Sequence, residues 1–282
     1  GHFRYWLEAI GPELRQYIVT SNDEERPFSR DQRRWIYAAA QQGNTYFGFG
    51  TDNDLEHLSG YPIIKHAAFP LSEPQPQERE FDAAYGLPCA KALGGHRGRA
   101  RAFRPLSAVN TSAMSYGSLS GPAIEALNRG SAQAGCLHNT GEGGISPHHL
   151  HGGELIWQIG AGYFGCRELN GLFSLPKFLD TVQQNPQIRA VEIKLSQGAK
   201  PGVGGILPAE KITPEIARIR CIPLGQDCTP PSTHSAFRDD DGLLDFVEEL
   251  ADASGLPVGI KSAGGEEPFW QQLAARMDAT GR

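Results

Sequence analysis

From Pro105 onward the sequence repeats one pattern: a short apolar run, a glycine-rich loop, then an amphipathic segment closed by a turn signal. Residues 106–114 form the first run. They lead into SYGSLSGP, where Ser120 can cap a helix, Pro122 suits its first turn, and Ile124, Leu127 and Ala134 share one face before Gly135 stops it. A second strand over 136–140 runs into GEGG, and a third over 156–166 precedes the helix SLPKFLDTVQQ. The fourth strand is AVEIKL, followed by KLSQGAKPGVGGILP and the helices ITPEIARIR and DDDGLLDFVEELADASG. PVGIKS is the fifth strand, and PFWQQLAARM a closing helix. Strands that alternate with helices require a parallel sheet. Without a dinucleotide fingerprint at the first turn, the pattern predicts an α/β fold of the (β/α)8 TIM-barrel type. About five of the eight units of such a barrel are present, so the expectation is a barrel truncated at both ends, because an open one would leave strand edges bare.

Ahead of this pattern, residues 1–100 read as a helical and irregular N-terminal segment, with helical patterns in FRYWLEAIGPELRQYI and SRDQRRWIYAAAQQ. The predicted boundary near residue 100 leaves 101–282 as the barrel domain. The net charge of −6 is spread without a basic block, which argues against nucleic acid as a partner. Five scattered cysteines with no CxxC pair fit neither a disulfide framework nor a zinc site, and point to a reducing, cytoplasmic setting. No run approaches the roughly 18 apolar residues of a membrane span.

The chemistry-bearing residues cluster at the ends of the predicted strands. In Val191-Glu192-Ile193-Lys194 the apolar side chains share one parity, and Glu192 and Lys194 share the other. The fifth strand repeats this, with Val258 and Ile260 against Gly259 and Lys261. If the apolar face packs on the outer helices, two lysines point at the C-terminal mouth, where an anion would compensate their burial. The alternative is that they pair with Glu192 or other acids in a core network. The glycines of SQGAKPGVGG let backbone approach a ligand, and Gln197 and Lys200 offer donors to a carboxylate or phosphate. AMSYGSLSG is either a capped helix start or a seat for a flat ring. His148, His149 and His151 follow Glu142 closely, but their spacing fits no common metal pattern, so they read as surface or substrate-facing histidines and no metal is expected.

Taken together, AMSYGSLS, NTGEGG, IWQIGAGYFGCR, EIKLSQGAKPGVGGILPAEKIT and PVGIKSAGGEEPFW resemble the FMN-binding synthase domain of glutamate synthases, and most closely the short members without an amidotransferase domain. The resemblance implies a (β/α)8 barrel with FMN at its mouth. It implies reduction of 2-iminoglutarate, formed from 2-oxoglutarate and ammonia, to L-glutamate. Ala113, Met114 and Ser115 would lie along the flavin, Asn139 and Thr140 near its edge, and Lys194 and Lys261 on its N1/C2=O side. Glu142, Gln197, Lys200 and Arg167 would hold the keto acid, with Lys194, Glu142 and Lys200 acting in catalysis. An electron-donor protein or subunit is implied, as is a membrane-associated segment ahead of residue 1 that would place the protein at the inner face of a membrane. Departures accompany the match: no closely spaced cysteine triplet supports an iron–sulfur cluster, and KSAGG stands where the family usually has valine after KSA. A Schiff-base or phosphosugar barrel using Lys194 or Lys261, and a non-catalytic truncated family member, are the competing expectations.

Overall fold

The parity of the two lysine-bearing strands fixes how their sheet packs. In a computed structural model, residues 91–195, 205–265 and 267–281 are described, together with Ile36, Ala40, Gln41, Ala68 and Phe69. The chain divides into two compact units, Gly1–Ser72 and Glu73–Arg282, and the sheet lies in the second. Of the N-terminal helical patterns, FRYWLEAIGPELRQYI lies outside the described residues.

Four parallel strands, β1 (His138–Asn139), β2 (Leu155–Ile159), β3 (Ile188–Lys194) and β4 (Val258–Lys261), pair in consecutive order. Helices alternate with them: α1 (Gly121–Ala134), α2 (Leu175–Gln184), α3 (Pro214–Arg220), α4 (Asp240–Ser254) and α5 (Glu267–Thr280). Trp157, Ile159, Val191 and Ile193 point from the sheet into a core with Phe178 and Val182 of α2 and Phe246 and Leu250 of α4. Trp157 stacks on Phe178 with ring centroids 5.4 Å apart. Each such side chain contributes about 1.5–3 kcal/mol by leaving water. Register places Gln158, Glu192 and Gly259 in one row on the opposite face, with Lys194 and Lys261 in the next row up. Sequential strand order with helices packed on one face and polar residues on the other is the barrel arrangement; a doubly wound sheet would reverse its order midway. The fold is α/β, of the (β/α)8-barrel type.

The helix punctuation follows the expected chemistry except at Ser120, which sits at the N-cap of α1 but makes no side-chain capping bond. Gly135 and Gly255 close α1 and α4 in the left-handed conformation, and the side chains of Thr213 and Asp239 cap α3 and α4. Two strand expectations need correction. Residues 106–114 form only an isolated parallel bridge, Thr111 to His138, beside β1. Side chains divert the local backbone: Ser107 Oγ accepts from Val109 N, and the Asn110 amide donates to Ser107 O while its oxygen accepts from Leu137 N. The third strand ends at Ile159, not 166, because residues 160–166 fold into successive turns, with Tyr163 N bonded to Gly160 O and Cys166 N to Tyr163 O. Tyr163 occupies φ 50°, an uncommon conformation for a non-glycine residue.

Candidate functional site

At the upper end of the inner face, Lys194 Nζ lies 2.8 Å from Glu142 Oε1, with side chains 12% and 22% exposed. Glu142 reaches this position from the loop after β1. Gly141 turns that loop with φ 66°, and its N–H is held by Asn139 Oδ1 at 3.0 Å. Thr140 is buried, and its Oγ1 accepts from Gln158 N at 3.1 Å, tying the loop to β2. Across the mouth, Gly160 leaves the space that the carboxylate fills: a Cβ there would stand 2.4 Å from Glu142 Oε2. Lower down, the Glu192 carboxylate accepts from Asn139 Nδ2 at 2.8 Å and from Gln158 Nε2 at 2.5 Å. Asn139 therefore commits both side-chain atoms to holding the floor of the mouth.

The strap of Ala113, Met114 and Ser115 is half-buried above β1, with Met114 N donating to Asn139 O at 3.2 Å. A Cβ on Gly141 would approach Ser115 N to 2.7 Å, so the strap and the GEGG loop meet without an intervening side chain.

A cation that the local sequence pattern does not reveal completes this group. Arg220, at the end of α3, is 5% exposed. It donates to the Tyr116 carbonyl at 3.0 Å, and its Nη2 would lie 2.9 Å from a Cβ on Gly143. Its Nε is buried without a hydrogen-bond partner among the described residues. Burial lowers its pKa from the ordinary arginine value, while Cys228 and Glu142 pull it upward. Arg167 reaches the same neighbourhood through a shared ring, since Arg220 and Arg167 place their guanidinium carbons 5.2 and 5.5 Å from the centroid of buried Phe164. Arg167 also lines a cleft of about 440 Å³ with Gly162, Asn170 and Thr229.

The structure thus brings Glu142 and Lys194 into contact, sets Lys261 beside Lys194 in register, and joins Arg167 to Arg220 through Phe164. Gln197 and Lys200 lie outside the described residues. The histidines depart from expectation. His149 is fully buried, its Nε2 3.1 Å from Met114 O, whereas half-buried His148 packs against Tyr116 and half-buried His151 lies 3.6 Å from Glu125. The short helical turn Pro147–His149, closed by the Ser146 bond to the His149 ring, swings that ring inward. No group of three His, Cys, Asp or Glu side chains among the described residues is placed to hold a metal.

A family model described as "Conserved region in glutamate synthase" matches residues 99–277. The chain belongs to the glutamate synthase family. Among its relatives, the glutamate synthase large subunit-like protein YerD of Bacillus subtilis is 34% identical over 100% of this chain, which spans 58% of that relative. An archaeal-type glutamate synthase (NADPH) of Thermotoga maritima is 38% identical over 55% of the chain and 28% of its own length. A glutamate synthase large subunit-like protein of Rhizobium meliloti is 32% identical over 59% of the chain and 35% of its own length. The chain therefore spans less than two thirds of each of these glutamate synthase relatives, and the mouth described above lies within the matched region.

Proposed function

We propose that this chain carries the ring-facing side of an FMN site and the groups that hold a dicarboxylic imine. In the whole protein, these would serve reduction of 2-iminoglutarate, formed from 2-oxoglutarate and ammonia, to L-glutamate. The observation that carries the reading is the row of Lys194 and Lys261, with Glu142 on Lys194 and Arg220 behind the same loop. Three cations stand there against the two carboxylates of Glu142 and Glu192, and an oxidoreductase of this kind must bind both an electron-rich ring and a dianion.

The chain's own groups fit the ring end of FMN. The Ser115 N–H makes no hydrogen bond among the described residues, and the strap beside it packs directly on the Gly141 backbone, which fixes its position. Ala113, Met114 and Ser115 would line the ring, Asn139 and Thr140 would shape the wall beneath it, and Lys194 and Lys261 would face its electron-rich side. FMN, when bound, would supply the hydride for the imine carbon. Lys194 favours negative charge opposite it, in a site where strand and loop have already fixed its position. Glu142 is held by that lysine within reach of the mouth, so it can orient the imine nitrogen and carry its proton. Arg220 and Arg167 offer two guanidiniums for the substrate carboxylates, and Gln197 and Lys200 would add the loop's donors.

The test is the visible spectrum of the complete protein. Flavin absorption bands retained through purification, or restored by added FMN, support the reading. A colourless protein that takes up no FMN refutes it, and borohydride trapping of a keto acid on a lysine would favour Schiff-base chemistry instead. Lys194→Met should weaken the reduced flavin at least tenfold relative to the oxidised form with little change in unfolding temperature. Equal loss of both would refute the role given to Lys194.

A further inference from the structure

His149 is not used by the chemistry above, yet it is fully buried directly behind the strap. Its Nδ1 lies 3.1 Å from the Ser146 backbone nitrogen, a group that can only donate. Nδ1 is therefore an acceptor, the proton sits on Nε2, and Nε2–H donates to the Met114 carbonyl at 3.1 Å. Burial lowers the pKa of this histidine, although the Met114 and Thr140 carbonyls favour its charged form, so the ring is neutral with its tautomer set by its neighbours. On the other side of the same residue, Met114 N donates to Asn139 O at 3.2 Å.

A planar trans peptide holds its C=O and N–H in opposite directions. Anchoring the Met114 carbonyl on His149 therefore aims the Ser115 N–H away from the buried ring. That N–H makes no hydrogen bond among the described residues, and its nitrogen packs close against Gly141, where a Cβ would stand 2.7 Å away.

We propose that His149 is a positioning residue for the cofactor: it locks the Met114–Ser115 peptide plane so that the Ser115 N–H is presented to an electron-rich edge of the bound ring. This role rests on the FMN reading. The imidazole touches neither ring nor substrate and acts through one peptide group.

Two variants of the full-length protein separate this from simple packing. His149→Phe keeps a ring but has no N–H; His149→Gln keeps a donor for the Met114 carbonyl but loses the acceptor for Ser146 N. Both should lower the unfolding temperature. Only the Phe variant should weaken FMN at least tenfold and displace the visible bands of the bound flavin, with Gln restoring most of both. Loss of flavin affinity that simply tracks unfolding temperature in both variants, or wild-type affinity and spectrum in both, overturns the proposal. Hydrogen exchange at the Met114 amide in the flavin-free protein supplies an arm independent of FMN: it should quicken in the Phe variant and recover in the Gln variant. If the wild-type protein takes up no FMN, the proposed function fails, and this exchange result alone then decides whether His149 holds the strap. Unchanged exchange in the Phe variant overturns the positioning role.

Discussion

Gly160→Ala separates the site from the fold. The φ of Gly160 is not in the left-handed region, so alanine is allowed by the backbone, and restricting the unfolded chain should gain about 0.4–1 kcal/mol. The new methyl, however, would stand 2.4 Å from Glu142 Oε2 and 3.1 Å from its Cβ, where ordinary contact begins at 3.4 Å. The carboxylate end is the flexible party, so it must retreat by about 1 Å, the difference between those two limits. That movement draws it away from its 2.8 Å contact with Lys194. Stretching a pair whose side chains are only 12% and 22% exposed costs more than it would at the surface, about 1–3 kcal/mol, so net stability should fall by no more than about 2 kcal/mol. A 1 Å displacement at a reacting centre can cost about 100-fold in rate. On the proposed function, turnover of the imine by the full-length protein should therefore fall by about two orders of magnitude, while the unfolding temperature moves by a few degrees at most. Stopped-flow reoxidation of reduced enzyme by 2-oxoglutarate and ammonia, beside a thermal melt, measures both. Wild-type turnover with an intact fold would show that the carboxylate does not work where it is held. A loss of several kcal/mol would show that Glu142 cannot yield, and either result refutes the reasoning.

Gly141→Ala should behave differently, because φ 66° and a backbone nitrogen 2.7 Å from the new Cβ leave nothing free to move; a loss of about 2–4 kcal/mol in urea unfolding is expected. Burial, reinforced by His149, holds His138 well below the ordinary histidine range, at about 4 against 6.5. The unfolded chain then binds a proton that the folded chain refuses, so stability is full above pH 6.5 and falls by about 3 kcal/mol as pH drops toward 4. His138→Gln should flatten that slope by a similar amount in unfolding measured at several pH values, and an unchanged slope would exclude His138 as its source. Arg220→Met should leave the fold within about 2 kcal/mol, since removing a buried charge offsets the lost bond to Tyr116 O. If Arg220 holds a substrate carboxylate as proposed, binding of 2-oxoglutarate, measured by calorimetry, should nevertheless weaken at least tenfold.

Strand parity was legible because it is binary: once Val191 and Ile193 face the helices, Glu192 and Lys194 must face the other way, and β4 repeats the choice. The C-terminal ends of α1 and α4 were legible for a similar reason, since Gly135 and Gly255 each act on backbone within a few residues. The run over 106–114 misled because its hydrophobicity is that of a strand, while Ser107 and Asn110 offer its backbone nearer partners than a neighbouring strand does. Arg220 and His149 were out of reach on different grounds. One bonds a carbonyl 104 residues away and the other a carbonyl 35 residues away. No periodicity encodes such partners, and only the curl of successive βα loops toward one mouth brings them together. A buried histidine in a glycine-rich loop carries the same letters as an exposed one.

The register that sets Lys194 beside Lys261 also has a consequence for how the protein persists in a cell. Adjacent strands lie roughly 5 Å apart, so two like charges end the β3–β4 ladder side by side, and Glu142 is seated on Lys194. The ladder stays closed there, with Leu195 N donating to Lys261 O at 2.8 Å, and an anion settling over the two lysines would relieve their repulsion. A ligand that binds only the folded chain stabilises it in proportion to the logarithm of the ligand's concentration. If that anion is the proposed FMN, flavin supply would govern the lifetime of the polypeptide, and cells starved of riboflavin should clear this protein faster than its messenger level predicts.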